Sequence, residues 1–125
     1  MRKSRILVVD DDSDILELLE YNLAREGFKV KTLITGIDAV DTCIHFQPDL
    51  IILDIMMPEI NGIQVCKKLR SIEKFKDTII FFLTAKSEAY YRTAALSIGG
   101  NDFIEKINGI GSLTKKVKAV LMGKR

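Results

Sequence analysis

The chain has 125 residues, of which 47% are hydrophobic and 29% are charged, and this composition suits a single compact domain with an ordinary water-exposed surface. Its 19 basic and 17 acidic residues leave a net charge of +2, so it lacks the basic excess of a dedicated nucleic-acid-binding protein. We therefore expect one domain over residues 1–125 that does not itself contact nucleic acid.

The cysteines and the N-terminus indicate the cellular compartment. Cys43 and Cys66 both stand at apolar helical positions, and no signal peptide precedes them. The N-terminal residues are basic, but the apolar run that follows, Ile6–Val9, is too short for a signal sequence or a membrane span. These features predict buried free thiols in a cytoplasmic protein that makes no membrane contact.

Apolar runs of strand length alternate with segments of helical periodicity along the whole chain. The predicted strands are, in chain order, Ile6–Val9, Phe28–Thr32, Asp49–Asp54, Thr78–Leu83 and Asp102–Lys106. The first, third and fourth are apolar on both faces, as buried parallel strands are. The second alternates between apolar and polar residues with period two, as an edge strand does.

The predicted helices follow the strands, and each has an apolar face. In chain order these faces are Ile15, Leu18, Leu19 and Leu23; Ile37, Val40 and Ile44 within 36–46; Ile63, Cys66, Leu69 and Ile72; Ala94, Ala95 and Ile98; and Leu113, Val117, Val120 and Leu121. Asp14 and Glu17 have the spacing of a capping box, which starts the first helix at Asp14. Strict alternation of strands and helices predicts an α/β fold, with a five-stranded parallel sheet and helices on both faces.

Polar side chains end four of the predicted strands. They are Asp10, Asp11 and Asp12 after the first strand, Asp54 at the end of the third, Thr84 after the fourth and Lys106 at the end of the fifth. In the flavodoxin-like strand order 2-1-3-4-5, the first and third strands flank the point where the strand order reverses, and ligands bind beyond the carboxyl ends there. We therefore expect the carboxylates to converge in one shallow cleft, with Thr84 and Lys106 along its side.

Clustered carboxylates of this kind favour phosphoryl-transfer chemistry. Like charges raise one another's pKa unless a cation relieves the repulsion, and Mg²⁺ suits carboxylate oxygens best. A carboxylate can attack phosphorus, and the loose transition state needs positive charge from groups such as Lys106 and a hydroxyl such as Thr84. Taken singly, Asp10–Asp12 is better explained as a helix cap and Asp54 as a turn residue. Their joint placement on strand ends is what indicates a functional site.

With these residues in place, the chain closely resembles the receiver domain of two-component response regulators over essentially its whole length. The segments that carry the resemblance are Ile6–Asp12, Asp49–Pro58, Asn61-Gly62, Leu83–Lys86 and Asp102–Lys106. By this resemblance, Asp54 is the phosphorylation site. It is expected to take its phosphoryl group from a phosphohistidine on a sensor histidine kinase or a phosphotransfer protein, and to lose it slowly by autodephosphorylation.

The resemblance also implies a magnesium site. Asp10 and Asp11 match the acidic pair of the family. Asp11 and Asp54 are expected to bind Mg²⁺ directly, together with the backbone carbonyl of Met56, whereas Asp10 is expected to act mainly through water.

A conformational switch is implied as well. Thr84 and Lys106 match the family's switch hydroxyl and phosphate-pairing lysine, and Phe103 matches the aromatic residue that turns inward when the hydroxyl moves toward the phosphate. Phosphorylation adds roughly two negative charges, which favours the active arrangement of these groups. The expected output surface is the fourth helix, fifth strand and fifth helix, residues 87–121, and a homodimer through this surface is one expected assembly.

The sequence departs from the family pattern near its C-terminal end. Ile107 follows Lys106 where the family usually has proline, often across a cis bond, and residues 107–112 are rich in glycine. Because glycine is conformationally permissive, we expect a loosened entry to the last helix and a less firmly held lysine. Residues 99–102 read Gly-Gly-Asn-Asp instead of the usual Gly-Ala-Asp-Asp, which removes one acid from a surface that many DNA-binding regulators use to dimerise.

Three other classes of protein share parts of this pattern. A phosphatase of the haloacid-dehalogenase type would need a second Asp two residues after the nucleophile, where this chain has Met56. A flavodoxin-like flavin carrier would need a phosphate loop rich in Ser, Thr and Gly after the first strand, where this chain has three acids. A degenerate receiver that binds partners without phosphorylation stays open because of the altered turn after Lys106.

Overall fold

A computed structural model of the chain describes residues 2–85 and 91–123, in which five strands alternate with five α-helices. The strands are β1 Arg5–Val9, β2 Lys29–Leu33, β3 Leu50–Asp54, β4 Ile79–Thr84 and β5 Asp102–Glu105. The helices are α1 Ser13–Arg25, α2 Ala39–Phe46, α3 Gly62–Arg70, α4 Arg92–Ser97 and α5 Lys106–Met122, with a short 3₁₀ helix, Glu73–Phe75, before β4. Lys86, which closes one family motif, and residues 87–90 of the predicted output surface lie outside the described residues.

The strands form one parallel sheet in the order β2-β1-β3-β4-β5, which confirms the predicted flavodoxin-like architecture. β1 and β3 pair directly, with Val9 opposite Leu53 at their carboxyl ends. β2 is an edge strand, and its Lys29 and Lys31 are exposed to solvent as predicted. The strand order therefore places the ends of β1 and β3 side by side at the switch point of the sheet.

The inner strands are apolar on both faces because helices cover the sheet on both sides. One core lies against α2, α3 and α4, and its strand residues include Leu7, Val9, Ile51, Leu53, Phe82 and Phe103. The other core lies against α1 and α5, and its strand residues include Ile6, Val8, Leu50, Ile52, Leu83 and Ile104. Successive residues of one strand thus enter opposite cores, as the period-two geometry of a strand requires.

The buried face of α1 differs in part from the predicted one. Leu16, Leu19 and Leu23 are buried, whereas Leu18, which was predicted to face the core, is 43% exposed. A run of neighbouring leucines offers two overlapping helical stripes, and only packing on the sheet selects one of them. The predicted start at Asp14 is also wrong, because Asp12 is the N-cap and its carboxylate accepts from the Asp14 amide at 2.9 Å.

The buried face of α2 also differs in part from the predicted one, although Val40 packs against the core as predicted. Ala39 and Cys43 face the core, while Ile37 and Ile44 are 55% and 45% exposed. The helix begins at Ala39, so Ile37 lies in the preceding loop. Small residues on the buried side of this short helix let it approach the sheet closely. The hydrophobic pattern alone did not reveal that these small residues, and not the larger isoleucines, face the core.

The cysteines and the helices bear on the predicted compartment. Cys43 and Cys66 are buried free thiols, which confirms that prediction. Burial raises the pKa of Cys43 to about 12, so this thiol stays protonated at neutral pH. In the described part of the chain, every helix is too short or too polar to cross a membrane. The cytoplasmic location stays a prediction.

The C-terminal part of the sheet corrects the expectation of a loosened turn. β5 ends at Glu105, and α5 begins at Lys106 with no intervening loop. The glycine-rich residues 107–112 are helical, and the peptide bonds of the described residues are all trans. Lys106, predicted to end the strand, is therefore the first residue of the helix.

Arg70 joins three segments near the amino ends of β4 and β5. Its Nε and Nη2 donate to the carbonyl of Gly99 at 3.0 and 2.6 Å, and its Nη1 donates to the carbonyl of Phe75 at 2.7 Å. Nη2 also donates to Oδ1 of Asn101 at 3.0 Å, and the same oxygen accepts from the Ile80 amide at 2.8 Å. These bonds tie the end of α3 and the 3₁₀ helix to the loop between α4 and β5.

We expect Arg70→Met to lower the free energy of unfolding by about 1–3 kcal/mol, because two backbone carbonyls and an amide oxygen lose a charged donor. Lys68→Met, at an exposed position of the same helix, is expected to change it by less than about 0.5 kcal/mol. Urea unfolding followed by circular dichroism measures both. Equal stabilities for the two variants would contradict the role assigned to Arg70.

Candidate metal centre and acceptor site

The carboxyl ends of β1 and β3 bring three carboxylates together. Asp10 directly follows β1 and Asp54 is the last residue of β3, so the pairing of Val9 with Leu53 makes the two acids neighbours. Carboxylate oxygens of Asp10, Asp11 and Asp54 all lie within 4.8 Å of one another. Asp10 and Asp54 are buried, and Asp11 is exposed. The structure thus brings the three predicted acids to one place.

The loop after β3 folds back behind Asp54, and Gly62 permits this. A Cβ at residue 62 would overlap the carbonyl oxygen of Asp54, and the Gly62 amide donates to the carbonyl of Ile55 at 2.8 Å. Asn61 and Gln64 form a capping box that starts α3 at once, with hydrogen bonds of 2.8 and 2.9 Å. The close approach of this backbone gives the physical reason for the Asn-Gly pair of the family pattern.

The ammonium group of Lys106 lies against the buried carboxylates. Its Nζ is 3.0 Å from Oδ2 and 3.3 Å from Oδ1 of Asp10, and 3.4 Å from Oδ1 of Asp54. Among the ion pairs formed by residues 2–85 and 91–123, those with Asp10 and Asp54 are made by Lys106. The altered residue after Lys106 therefore leaves the ammonium within reach of the site.

Burial and neighbouring charges shift the pKa values of Asp54, Asp10 and Lys106. Burial raises the pKa of Asp54 to about 8, and the charge of Asp10 adds to this shift while Lys106 opposes it. Burial also raises the pKa of Asp10, against the lowering effect of the Asp12 amide and of Lys106. Burial alone would lower the pKa of Lys106, but hydrogen bonds and the charges of the two carboxylates raise it overall. Without a bound cation, the cluster therefore retains a proton near neutral pH.

The oxygen atoms of this cluster suit a hard divalent cation. Oδ2 of Asp10 is buried and lies 3.0 Å from Nζ of Lys106, yet it accepts no well-oriented hydrogen bond from the described residues. Mg²⁺ prefers oxygen ligands and commonly binds through one or two carboxylates, with water and phosphate oxygens completing its shell. The residues present here fit that ion. Met56 lies two residues beyond Asp54 with a half-exposed side chain, and the role of its carbonyl stays a prediction.

Thr84 and Phe103 come from the neighbouring strands β4 and β5. Thr84 is fully buried at the end of β4, and its hydroxyl donates to the carbonyl of Ala85 at 3.0 Å. Phe103 is buried in the core beside α4. The guanidinium carbon of Arg92 lies 5.7 Å from the centre of its ring, and Nη1 of Arg92 donates to its carbonyl at 3.4 Å. Arg92 was not predicted, because a single arginine in a helix has no distinctive spacing.

A family model described as the response regulator receiver domain matches residues 6–118. PhoP of Bacillus subtilis, the alkaline phosphatase synthesis transcriptional regulatory protein, is 41% identical over 117 residues, which cover 94% of this chain and 48% of PhoP. The response regulator ArlR of Staphylococcus aureus is 37% identical over 118 residues, which cover 94% of this chain and 52% of ArlR. The chain thus spans about half the length of these curated relatives.

Solved structures of a response regulator and of a receiver domain have the same fold as this chain. The chemotaxis response regulator CheY4 of Vibrio cholerae superposes with a TM-score of 0.87 at 26% identity, over 96% of this chain and 100% of CheY4. The signal receiver domain of a signal transduction histidine kinase from Syntrophus aciditrophicus superposes with a TM-score of 0.86 at 30% identity, over 98% of this chain and 92% of that chain.

The raised pKa of Asp54 predicts a pH-dependent stability in metal-free solution. The folded protein holds a proton that an unfolded Asp54 releases near pH 3.8, so stability falls as the pH rises toward about 8. We expect the free energy of unfolding to drop by roughly 3–4 kcal/mol between about pH 5 and pH 8, and Asp54→Asn to remove most of that drop. Thermal or urea unfolding in EDTA measures both.

Asp77→Asn, which removes an exposed acid, provides the matched control and should follow the wild-type curve. Parallel curves for the wild type and Asp54→Asn would show that Asp54 does not hold the proton.

Proposed function

The chain belongs to the response regulator receiver domain family, and we propose on this basis that Asp54 is the residue that accepts a phosphoryl group. The supporting observation is the position of its carboxylate at the end of β3, close to the carboxylates of Asp10 and Asp11 and to the ammonium of Lys106. This arrangement offers a nucleophile, oxygen ligands for a cation and a fixed positive charge in one cleft.

The proposed domain spans residues 1–125. The family match covers residues 6–118, but the described residues on either side of it belong to the same packed unit. Arg2 pairs with Asp49 at 3.0 Å before β1 begins, and α5 continues to Met122.

The proposed phosphoryl donor is a phosphohistidine on a sensor histidine kinase or a phosphotransfer protein. A carboxylate oxygen of Asp54 forms a bond to phosphorus while the P–N bond breaks, and the electron pair of that bond stays on the imidazole nitrogen, which takes up a proton. Only the ionised carboxylate is a nucleophile. Because the pKa of Asp54 is about 8 without a cation, its proton must leave before the transfer.

Mg²⁺ would be held by the carboxylates of Asp11 and Asp54 and by the backbone carbonyl of Met56, with Asp10 acting mainly through water. When bound, it would supply positive charge to the carboxylates and to the phosphoryl oxygens. The buried Oδ2 of Asp10, which lacks a well-oriented donor within the described residues, supports a cation at this place.

Lys106 and Thr84 are proposed to hold the transferred group. The Lys106 ammonium, 3.4 Å from Oδ1 of Asp54, pairs with one phosphoryl oxygen. The Thr84 hydroxyl turns from the carbonyl of Ala85 toward another oxygen. Water later attacks the phosphorus, and the slow hydrolysis that the domain itself catalyses restores the Asp54 carboxylate.

The proposed output of phosphorylation is a change in the surface formed by α4, β5 and α5. Phe103 is already buried in this structure, so the movement of Thr84 stabilises its inward position instead of creating it. Arg92, which contacts Phe103, lies on α4 and so connects the aromatic ring to this surface. We propose that one use of this surface is to form a homodimer. We do not propose that the domain contacts nucleic acid or a membrane.

The same residues disfavour the other functions. Met56 occupies the position where a haloacid-dehalogenase phosphatase needs its acid, and its side chain is apolar and half-exposed. The acids after β1 would repel the phosphate of a flavin, and Asp12 is already engaged as the cap of α1. The ammonium of Lys106, 3.0 Å from Asp10, argues against a degenerate site despite the altered residue that follows it.

Incubation with acetyl phosphate and Mg²⁺, followed by intact mass measurement, tests the assignment of Asp54. We expect one phosphate adduct in the wild type and in Asp77→Asn, and none in Asp54→Asn or in the presence of EDTA. An adduct that persists in Asp54→Asn, or a wild type that takes none, would refute the proposal.

Lys106→Met tests the fixed positive charge. We expect the phosphorylation rate at saturating Mg²⁺ to fall about 100-fold, because a preorganised charge beside the transferring group is lost. The affinity for Mg²⁺, measured by calorimetry because the chain has no tryptophan, should rise, since no ammonium competes for the carboxylates. Lys115→Met, at an exposed position of α5, is the control. Equal rates for the two variants would contradict this role of Lys106.

A further inference from the structure

Gly109 lies on the same side of α5 as Lys106, because residues three apart on a helix are neighbours on its surface. The same side continues into the core through the buried Leu113 and Val117. At its beginning, the Lys106 ammonium lies 3.0 Å from Asp10 and 3.4 Å from Asp54. The position of the ammonium therefore depends on how closely the first turns of α5 pack on the sheet.

A methyl group does not fit at residue 109. A Cβ there would overlap the Cγ2 methyl of Ile104 and would lie 3.6 Å from the Cβ of Ile104. Ile104 belongs to β5 and is held in the buried core beneath α5. Its side chain can yield little space, because protein cores are close-packed.

Gly111, two residues further along α5, is a natural reference. A Cβ at this position would meet no atom within 4 Å among the residues that the structure describes. Alanine is intrinsically preferred over glycine at both positions, since glycine is a poor helix former. Close packing on Ile104 explains glycine at residue 109, whereas no contact with a described residue explains it at residue 111.

No loop separates β5 from α5, so a shift of the first helical turn passes directly to Lys106. We propose that Gly109 is a positioning residue: its missing side chain lets α5 pack on Ile104 and thereby holds the Lys106 ammonium against Asp10 and Asp54. This inference rests on the proposed function of the site and adds a residue that determines its geometry.

Gly109→Ala and Gly111→Ala are the test pair in the full chain. We expect Gly109→Ala to slow phosphorylation by acetyl phosphate about 10-fold or more, because small misplacements of a positioned group have large effects on rate. Gly111→Ala should keep the wild-type rate within about twofold and raise the Tm by about 2–4 °C. A Gly109→Ala rate equal to that of Gly111→Ala would overturn the proposal.

Magnesium affinity separates displacement of the ammonium from general damage to the site. A displaced ammonium neutralises the carboxylates less, so Gly109→Ala should bind Mg²⁺ roughly threefold more tightly than Gly111→Ala in calorimetry. Weaker or unchanged binding would overturn the proposal. This measurement needs no phosphorylation, so it decides the role of Gly109 even if the wild type takes no phosphoryl group and the proposed function fails.

Ile104→Ala supplies the rescue, because it removes the Cγ2 methyl that a Cβ at residue 109 would meet. The double variant Ile104→Ala/Gly109→Ala should match the rate and the Mg²⁺ affinity of Ile104→Ala alone, within about twofold. If Gly109→Ala does not fold, this second pair decides the question in the same way. A double variant that stays slow relative to Ile104→Ala, or that does not fold, would overturn the proposal.

Discussion

Three carboxylates whose oxygens lie within 4.8 Å of one another repel each other, and two of them are buried away from the water that would screen their charges. The folded protein tolerates this cluster through the Lys106 ammonium and through a proton that Asp54 retains up to a pH of about 8. A cation that replaces the proton would leave Asp54 ionised and reactive. The proposed chemistry thus follows from the repulsion between carboxylates that the fold holds close together.

The backbone keeps the carboxylates close together because it places the acids at fixed points of the sheet. Asp10 and Asp54 follow paired residues of β1 and β3, so the register of two central strands determines their separation. Gly62 lets the loop after β3 pass directly behind Asp54, and the capping box at Asn61 then starts α3. Hydrogen bonds and close packing in the sheet therefore resist the movement that carboxylate repulsion favours.

The start of α5 shows how this chain places its lysine without the proline that usually follows it in the family. The helix begins directly at Lys106, and Gly109 allows its first turns to pack on Ile104. The second departure from the family pattern, Asn101, is also held in place, because its side chain accepts hydrogen bonds from Arg70 and from the Ile80 amide. Both departures are thus accommodated by local packing, and the acidic cluster keeps its counter-charge.

The sequence by itself determined the alternation of strands and helices and the residues at the strand ends, including Asp10, Asp54 and Thr84. This was possible because buried parallel strands are continuous apolar runs and their carboxyl ends share one edge. Only the tertiary structure decided which face of α1 and α2 is buried, that Asp12 caps α1, and that Lys106 begins a helix. The buried faces depend on packing against elements far away in the chain, as in the core that α1 and α5 share, and local periodicity carries no information about that packing. The start of α5 depends on how Gly109 packs on Ile104 inside the same core.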